Sequence, residues 1–124
     1  MAKTPAISEA EWEVMKRLWA ESPQPSFDIC EALGKSEDWH PNTVKTLLSR
    51  LHKKKAVGVK KYKNLFLYFP LVTEQDCIHA ESDSFLDRVF GGVVKPLLLH
   101  FVRKQKLTEA DLEELRNILK DGKV

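Results

Sequence analysis

Residues 41–63 read PNTVKTLLSRLHKKKAVGVKKYK. Val44, Leu47, Leu48 and Leu51 recur at i, i+3, i+4 and i+7, so a helix beginning at Pro41 buries one apolar stripe. Proline suits the first helical position, where its missing N–H has no intrahelical bond to lose. The opposite face carries Asn42, Lys45, Thr46, Ser49, Arg50 and Lys53. It holds no carboxylate and consists of groups that donate to phosphates or read base edges. Beyond the helix, Val57 and Val59, then Leu65, Leu67 and Phe69, flank a turn near Lys63-Asn64. Phe66 and Tyr68 fall on the other face of the second strand. This period-2 pattern predicts a β-hairpin whose basic tip, Lys60, Lys61 and Lys63, lies beside the positive helix.

Charge marks the same stretch. Between Asp38 and Glu74 there is no acidic residue, yet there are eight basic ones: Lys45, Arg50, Lys53, Lys54, Lys55, Lys60, Lys61 and Lys63. The 124-residue chain holds 20 basic and 18 acidic residues, so outside this window the balance is 12 against 18. A positive field confined to one segment of a near-neutral chain is the footprint of a polyanion site. A solvated lysine-rich face would carry the same charges. The helices upstream separate the two readings.

Ile7-Ser8-Glu9-Ala10-Glu11-Trp12 reads as a helix start, with Ser8 as N-cap, Glu11 completing a capping box, and Ile7 and Trp12 as a hydrophobic staple. Val14, Met15, Leu18 and Trp19 line its inner face. Ser22-Pro23-Gln24-Pro25 stops it. Ser26 is expected to cap a short second helix, with Phe27, Ile29, Cys30 and Leu33 inward and Gly34 at its end. Trp39 is expected to support the third helix rather than to stack on bases. Three short helices followed by a hairpin, the third helix basic outside, is the winged helix-turn-helix order. The fold class is therefore mainly α with a small β-hairpin. Arg50 and Thr46 are the candidates for base readout, with Asn42 and Thr43 beside them at the groove-entering end. Lys45, Ser49, Lys53, Lys54 and the wing residues Lys60, Lys61 and Lys63 complete the candidate DNA-binding set, the wing lysines as phosphate contacts.

From Thr73 the pattern is helical again. One helix runs from Thr73 to Gly91-Gly92, and a strongly apolar one covers Val93 to Lys104. Thr108 caps a third, with Asp111 at the capping-box position and Leu112, Leu115, Ile118 and Leu119 on one face. This is too little chain for an independent core. Two domains are expected: a winged-helix DNA-binding domain over 1–72 and a three-helix dimerisation domain over 73–124. A two-fold dimer would present two recognition helices to a palindrome. Leu98, Phe101, Leu115 and Ile118 are the candidates for its core.

Several classes find no support. No run is long enough to span a membrane, and the N-terminus lacks a signal peptide's apolar core, so a cytoplasmic protein without membrane insertion is expected. Cys30 and Cys77 are isolated and read as ordinary buried or half-buried thiols. Cys77-x-His79 is at most half a metal site, and His40, His52 and His100 show no ligand spacing, so no metal and no cofactor are expected. No Gly-rich phosphate loop, nucleophile elbow or zincin motif occurs, and the chain is not expected to be an enzyme.

Two longer stretches carry a family resemblance. Ile7-Ser8-x-Ala10-Glu11-Trp12-Glu13-Val14-Met15 and Asp38-Trp39-x-Pro41-x-Thr43-Val44-x-Thr46-Leu47-Leu48-x-Arg50-Leu51-x-Lys53-Lys54 resemble the penicillinase repressor family, which includes the β-lactamase and methicillin-resistance repressors. Glu113-Glu114-Leu115-Arg116-Asn117-Ile118-Leu119 resembles that family's last dimerisation helix. The resemblance implies a homodimeric repressor with intertwined C-terminal helices, released from its operator when a membrane sensor-protease pathway cuts the dimerisation region. In the methicillin-resistance branch the cut bond is Asn-Phe followed by Val. Here Leu99-His100-Phe101-Val102 stands at that place, so the matching bond is His100-Phe101, with His100 replacing Asn. His40 stands where the family places Ser before the proline, which is expected to weaken the N-cap. Lys55 stands where the family often has Gly, which is expected to lengthen the helix by a residue or shift the wing. The chain ends Lys120-Asp121-Gly122-Lys123-Val124, without the Cys-x-Cys tail of copper-responsive relatives. The competing function is a dimeric winged-helix interaction module or architectural DNA binder without proteolytic induction.

Overall fold

The computed structural model describes residues 4–121; the tail positions Gly122 to Val124 lie outside the described residues. The chain divides into two compact units, one up to Ser82 and one from Asp83 onward.

The first unit opens with α1 (Glu9–Ala20). The Ser8 hydroxyl accepts from the Glu11 N–H at 3.2 Å, and the Glu11 carboxylate accepts from the Ser8 N–H at 2.8 Å. This capping box satisfies two N–H groups the helix cannot bond itself. Then come β1 (Gln24–Pro25), α2 (Ser26–Ser36), α3 (Pro41–Lys53), β2 (Val57–Tyr62) and β3 (Leu65–Pro70). The three strands form one antiparallel sheet in the order β1-β3-β2. Val14, Met15 and Leu18 of α1, Ile29, Cys30 and Leu33 of α2, and Val44, Leu47, Leu48 and Leu51 of α3 form the core, closed by Ile7, Ala56, Val57 and Cys77. Trp12, Trp19 and Trp39 pack at its margin. Trp19 also donates from Nε1 to the Val72 carbonyl at 2.9 Å.

Local expectations are corrected at five places in this unit. Pro25, not Ser26, precedes the first helical residue of α2, and it offers no side-chain cap. Phe27 points outward and is 72% exposed. Gly34 lies inside α2; the left-handed residue that turns the chain toward α3 is Asp38, at φ +57°. The strand β1 pairs Gln24 with Tyr68 and Pro25 with Leu67. The inner face of β3 belongs to Tyr68, which packs on the core. Val57 pairs with Pro70 and Val59 with Tyr68, so Leu67 and Phe69 share the outer face with Lys60 and Gly58. Gly58 leaves room for the Phe69 ring there: a Cβ would come within 2.5 Å of it and the ring would have to shift.

The remaining helices are α4 (Glu74–Phe90), which straddles the division, α5 (Lys95–Arg103) and α6 (Glu109–Asp121). Thr73 caps α4, its hydroxyl accepting from the Asp76 N–H at 3.0 Å. Thr108 and Asp111 exchange both bonds of a capping box at α6. Helix α5 starts later than the apolar run suggested, at Lys95, because its proline takes the second helical position. No residue of α5 or α6 is buried. Among the described residues, no helix is long and apolar enough to cross a membrane.

Candidate nucleic-acid interface

Burial of Val44, Leu47, Leu48 and Leu51 fixes the roll of α3. Asn42, Thr43, Lys45, Thr46, Ser49, Arg50 and Lys53 are all exposed as a result. The helix is firmly held at both ends. Its N-cap is His40, whose Nδ1 accepts from the Asn42 N–H at 3.0 Å. The cap is kept despite the missing serine, because an imidazole nitrogen accepts the bond a serine oxygen would accept. At the other end the helix is not lengthened. It stops at Lys53, and Lys55 takes the left-handed conformation at φ +65°. The Ala56 N–H bonds the Leu51 carbonyl at 2.9 Å and the Lys55 N–H bonds the His52 carbonyl at 3.0 Å. That pair of bonds is a Schellman closure, with a lysine where glycine is usual.

The candidate side chains are not equivalent. The Thr46 hydroxyl donates to the Asn42 carbonyl at 2.9 Å, so it offers a partner only its lone pairs and its methyl. Lys54 turns inward. Its Nζ donates to the Ala6 carbonyl at 2.8 Å and pairs with the Glu11 carboxylate. Burial by itself would raise the pKa of Glu11; the Lys54 ammonium and the Ser8 N–H and hydroxyl outweigh it and hold the carboxyl below its ordinary value. Among the described residues, Lys54 is the only one of the eight window cations paired with a carboxylate. The other seven leave their field uncompensated.

In the wing, Lys60 and Lys61 lie on opposite faces of β2. The Lys60 ammonium sits 5.6 Å from the Phe69 ring centre and the Lys63 ammonium 5.5 Å from that of Tyr62. Both aromatic rings hold a cation without neutralising it. Lys63, at φ +56°, makes the turn.

A cleft of about 430 Å³ opens between α2 and α3, lined by Ser26, Phe27, Cys30, Glu31, Pro41 and Lys45. Cys30 donates from Sγ to the Pro41 carbonyl at 3.7 Å. Burial pushes its thiol pKa up, against the opposing pull of Lys45. Cys77 is buried in the core, its pKa raised by the same desolvation and by Asp76. No group of three or more His, Cys, Asp or Glu with metal-holding geometry occurs among the described residues.

The dimerisation candidates Leu98, Phe101, Leu115 and Ile118 are all about two-fifths exposed. The His100-Phe101 bond lies inside α5, and the two rings meet edge to face at 5.4 Å. Phe27, Leu65 and Phe66 are surface groups, because the apolar period that places them does not say where the core ends.

A family model described as penicillinase repressor matches residues 7–121. The methicillin resistance regulatory protein MecI of Staphylococcus aureus (strain N315) is 41% identical over 117 residues, covering 94% of this chain and 95% of that protein. The solution structure of the DNA-binding domain of the repressor BlaI matches with a TM-score of 0.55 at 41% identity, covering 61% of this chain and 93% of that one. The solution structure of the Bacillus licheniformis BlaI monomeric form in complex with the blaP half-operator matches with the same TM-score, identity and coverage.

Proposed function

The chain belongs to the penicillinase repressor family, and we propose from that premise that it is a DNA-binding transcriptional repressor that works as a homodimer on a palindromic operator in the cytoplasm. The observation that carries this is the acid-free outer face of α3, presented by a helix whose other face is wholly buried. Such a face combines phosphate donors with base-reading groups. A relative solved in complex with a half-operator supports the same use of this domain.

Arg50 is the principal base reader in this proposal. Thr46 contributes its methyl and lone pairs, and Asn42 and Thr43 stand at the groove-entering end. Lys45, Ser49, Lys53, Lys60, Lys61 and Lys63 hold the backbone. Lys54 contributes to the field less than the others, because Glu11 already pairs with it.

The C-terminal helices supply the second half of the proposal. Leu98, Phe101, Leu115 and Ile118 are only partly covered within one chain, and a second copy would bury the rest of their surface. Cutting His100-Phe101 would sever α6 from the rest of the chain and break the shared core. The bond is helical, so α5 must open before a protease can bind it extended.

A competition gel shift tests the function. Labelled DNA from the protein's own upstream region should be displaced by the same unlabelled sequence and far less by a shuffled one. Equal displacement by both would leave the architectural binder standing instead. For release, cells exposed to the inducer should yield a fragment beginning at Phe101. Intact protein together with derepression would show another route.

A further inference from the structure

The wing ends in three large apolar side chains that the core does not reach. Tyr62 is 57% exposed, Leu65 53% and Phe66 58%. The strand register puts them on both faces of the hairpin. Tyr62 pairs with Leu65 on the outer face, whereas Phe66 pairs with Lys61 on the face that carries Val59 and Tyr68 nearer the core. The tip thus carries apolar side chains on two sides, with Lys61 beside Phe66 and Lys63 at the turn. No acidic residue lies within the whole window from Trp39 to Thr73.

This shape selects a partner. A flat apolar surface, whether a lipid layer or a protein patch, is met by one apolar face. An edge apolar on both faces and cationic throughout fits a slot with apolar walls and anionic rims. The minor groove of a DNA duplex is such a slot: deoxyribose rings form its walls and phosphates its rims. We propose that Tyr62, Leu65 and Phe66 form a wedge that packs against the deoxyribose walls of the minor groove flanking the half-site, so that part of the wing's affinity is apolar rather than ionic. The inference rests on the DNA-binding function proposed above and adds to it a second, salt-independent contact beside the lysines.

The lysine and apolar contributions separate in a salt titration. Removing one lysine–phosphate interaction lowers the slope of log affinity against log salt by about 1, whereas apolar packing releases no counterions. The full-length protein and its Leu65→Ser/Phe66→Ser variant, which leaves the Tyr62 ring beside Lys63 in place, are titrated with DNA from the protein's own upstream region over about 50–300 mM salt. Lys61→Ala/Lys63→Ala serves as the ionic comparison. The serine variant is expected to bind about tenfold more weakly at every salt concentration with an unchanged slope. The lysine variant is expected to show a shallower slope. Both serine sites are exposed, so the fold should survive, and a melting curve checks this. Leu65→Ile/Phe66→Leu keeps the apolar surface and should bind like the parent protein. Hydroxyl-radical footprinting should show sugars beside the half-site that are protected by the parent and the conservative variant but not by the serine variant. Parental affinity in the serine variant, a changed slope in it, or an unaltered footprint would overturn the wedge while leaving the lysine contacts and the repressor function intact. If the parent protein itself shows no salt-dependent DNA binding, the function proposed above falls, and the wedge with it.

Discussion

Glu11 is 1% exposed and charged, and its partner Lys54 lies 43 residues further along the chain. The pair ties the start of α1 to the end of α3, so it anchors the recognition helix rather than adding to its DNA-facing charge. Removing Lys54 leaves a buried carboxylate without its cation. Lys54→Ala should cost about 1–3 kcal/mol of stability, less than a fully buried pair would lose because Lys54 itself is partly exposed. Denaturant unfolding measures this. The pH dependence follows from the lowered pKa of Glu11. The folded carboxyl binds its proton less readily than the unfolded one, so its stabilisation is complete above the ordinary value of 4.5 and is lost as pH falls through the lower folded value. Unfolding curves taken from pH 6 down to 3 should therefore fall less steeply in Glu11→Gln than in the parent protein, and equal slopes would remove Glu11 from the acid response.

Lys55 closes α3 at φ +65°, where a side chain is strained and glycine is not. Lys55→Gly should raise stability by about 1 kcal/mol, read as an upward shift in melting temperature; a lower melting temperature would mean that the lysine side chain makes a compensating contact. The contrast between the ends of α3 and the strands explains what was legible in the sequence. The buried stripe of α3 was legible because four apolar residues among polar ones admit one helical roll. The capping boxes at Ser8 and Thr108 were legible because both partners lie three residues apart. The inner face of β3 was not: Leu65-Phe66-Leu67-Tyr68-Phe69 is apolar throughout, so alternation cannot choose a face. The pairing with β2 and β1 decides it for Tyr68. Strand β1 itself is two residues long and exists only through β3. The roles of His40 and Lys54 were missed for related reasons. The first depends on which imidazole nitrogen faces a backbone N–H, and the second on a contact between distant segments.

At the scale of the whole molecule, the proposed function needs two copies acting together. In one chain the apolar faces of α5 and α6 stay open, with Leu119 as much as 81% exposed. Leu115→Glu would bury an unpaired charge in a shared core and should shift the protein toward monomer in sedimentation. Operator affinity should drop with it by an avidity factor on the order of 10²–10⁴. A Leu115→Glu protein that stays dimeric would place the interface elsewhere. A titration decides whether α3 reads sequence. Parent and Arg50→Ala proteins are each titrated with DNA from the protein's own upstream region and with shuffled DNA of equal length, at one fixed salt concentration. Arg50→Ala should lose about 1–3 kcal/mol on the upstream sequence and much less on the shuffled one, so the ratio between them collapses. Equal losses on both sequences would contradict the claim and reduce Arg50 to a phosphate contact.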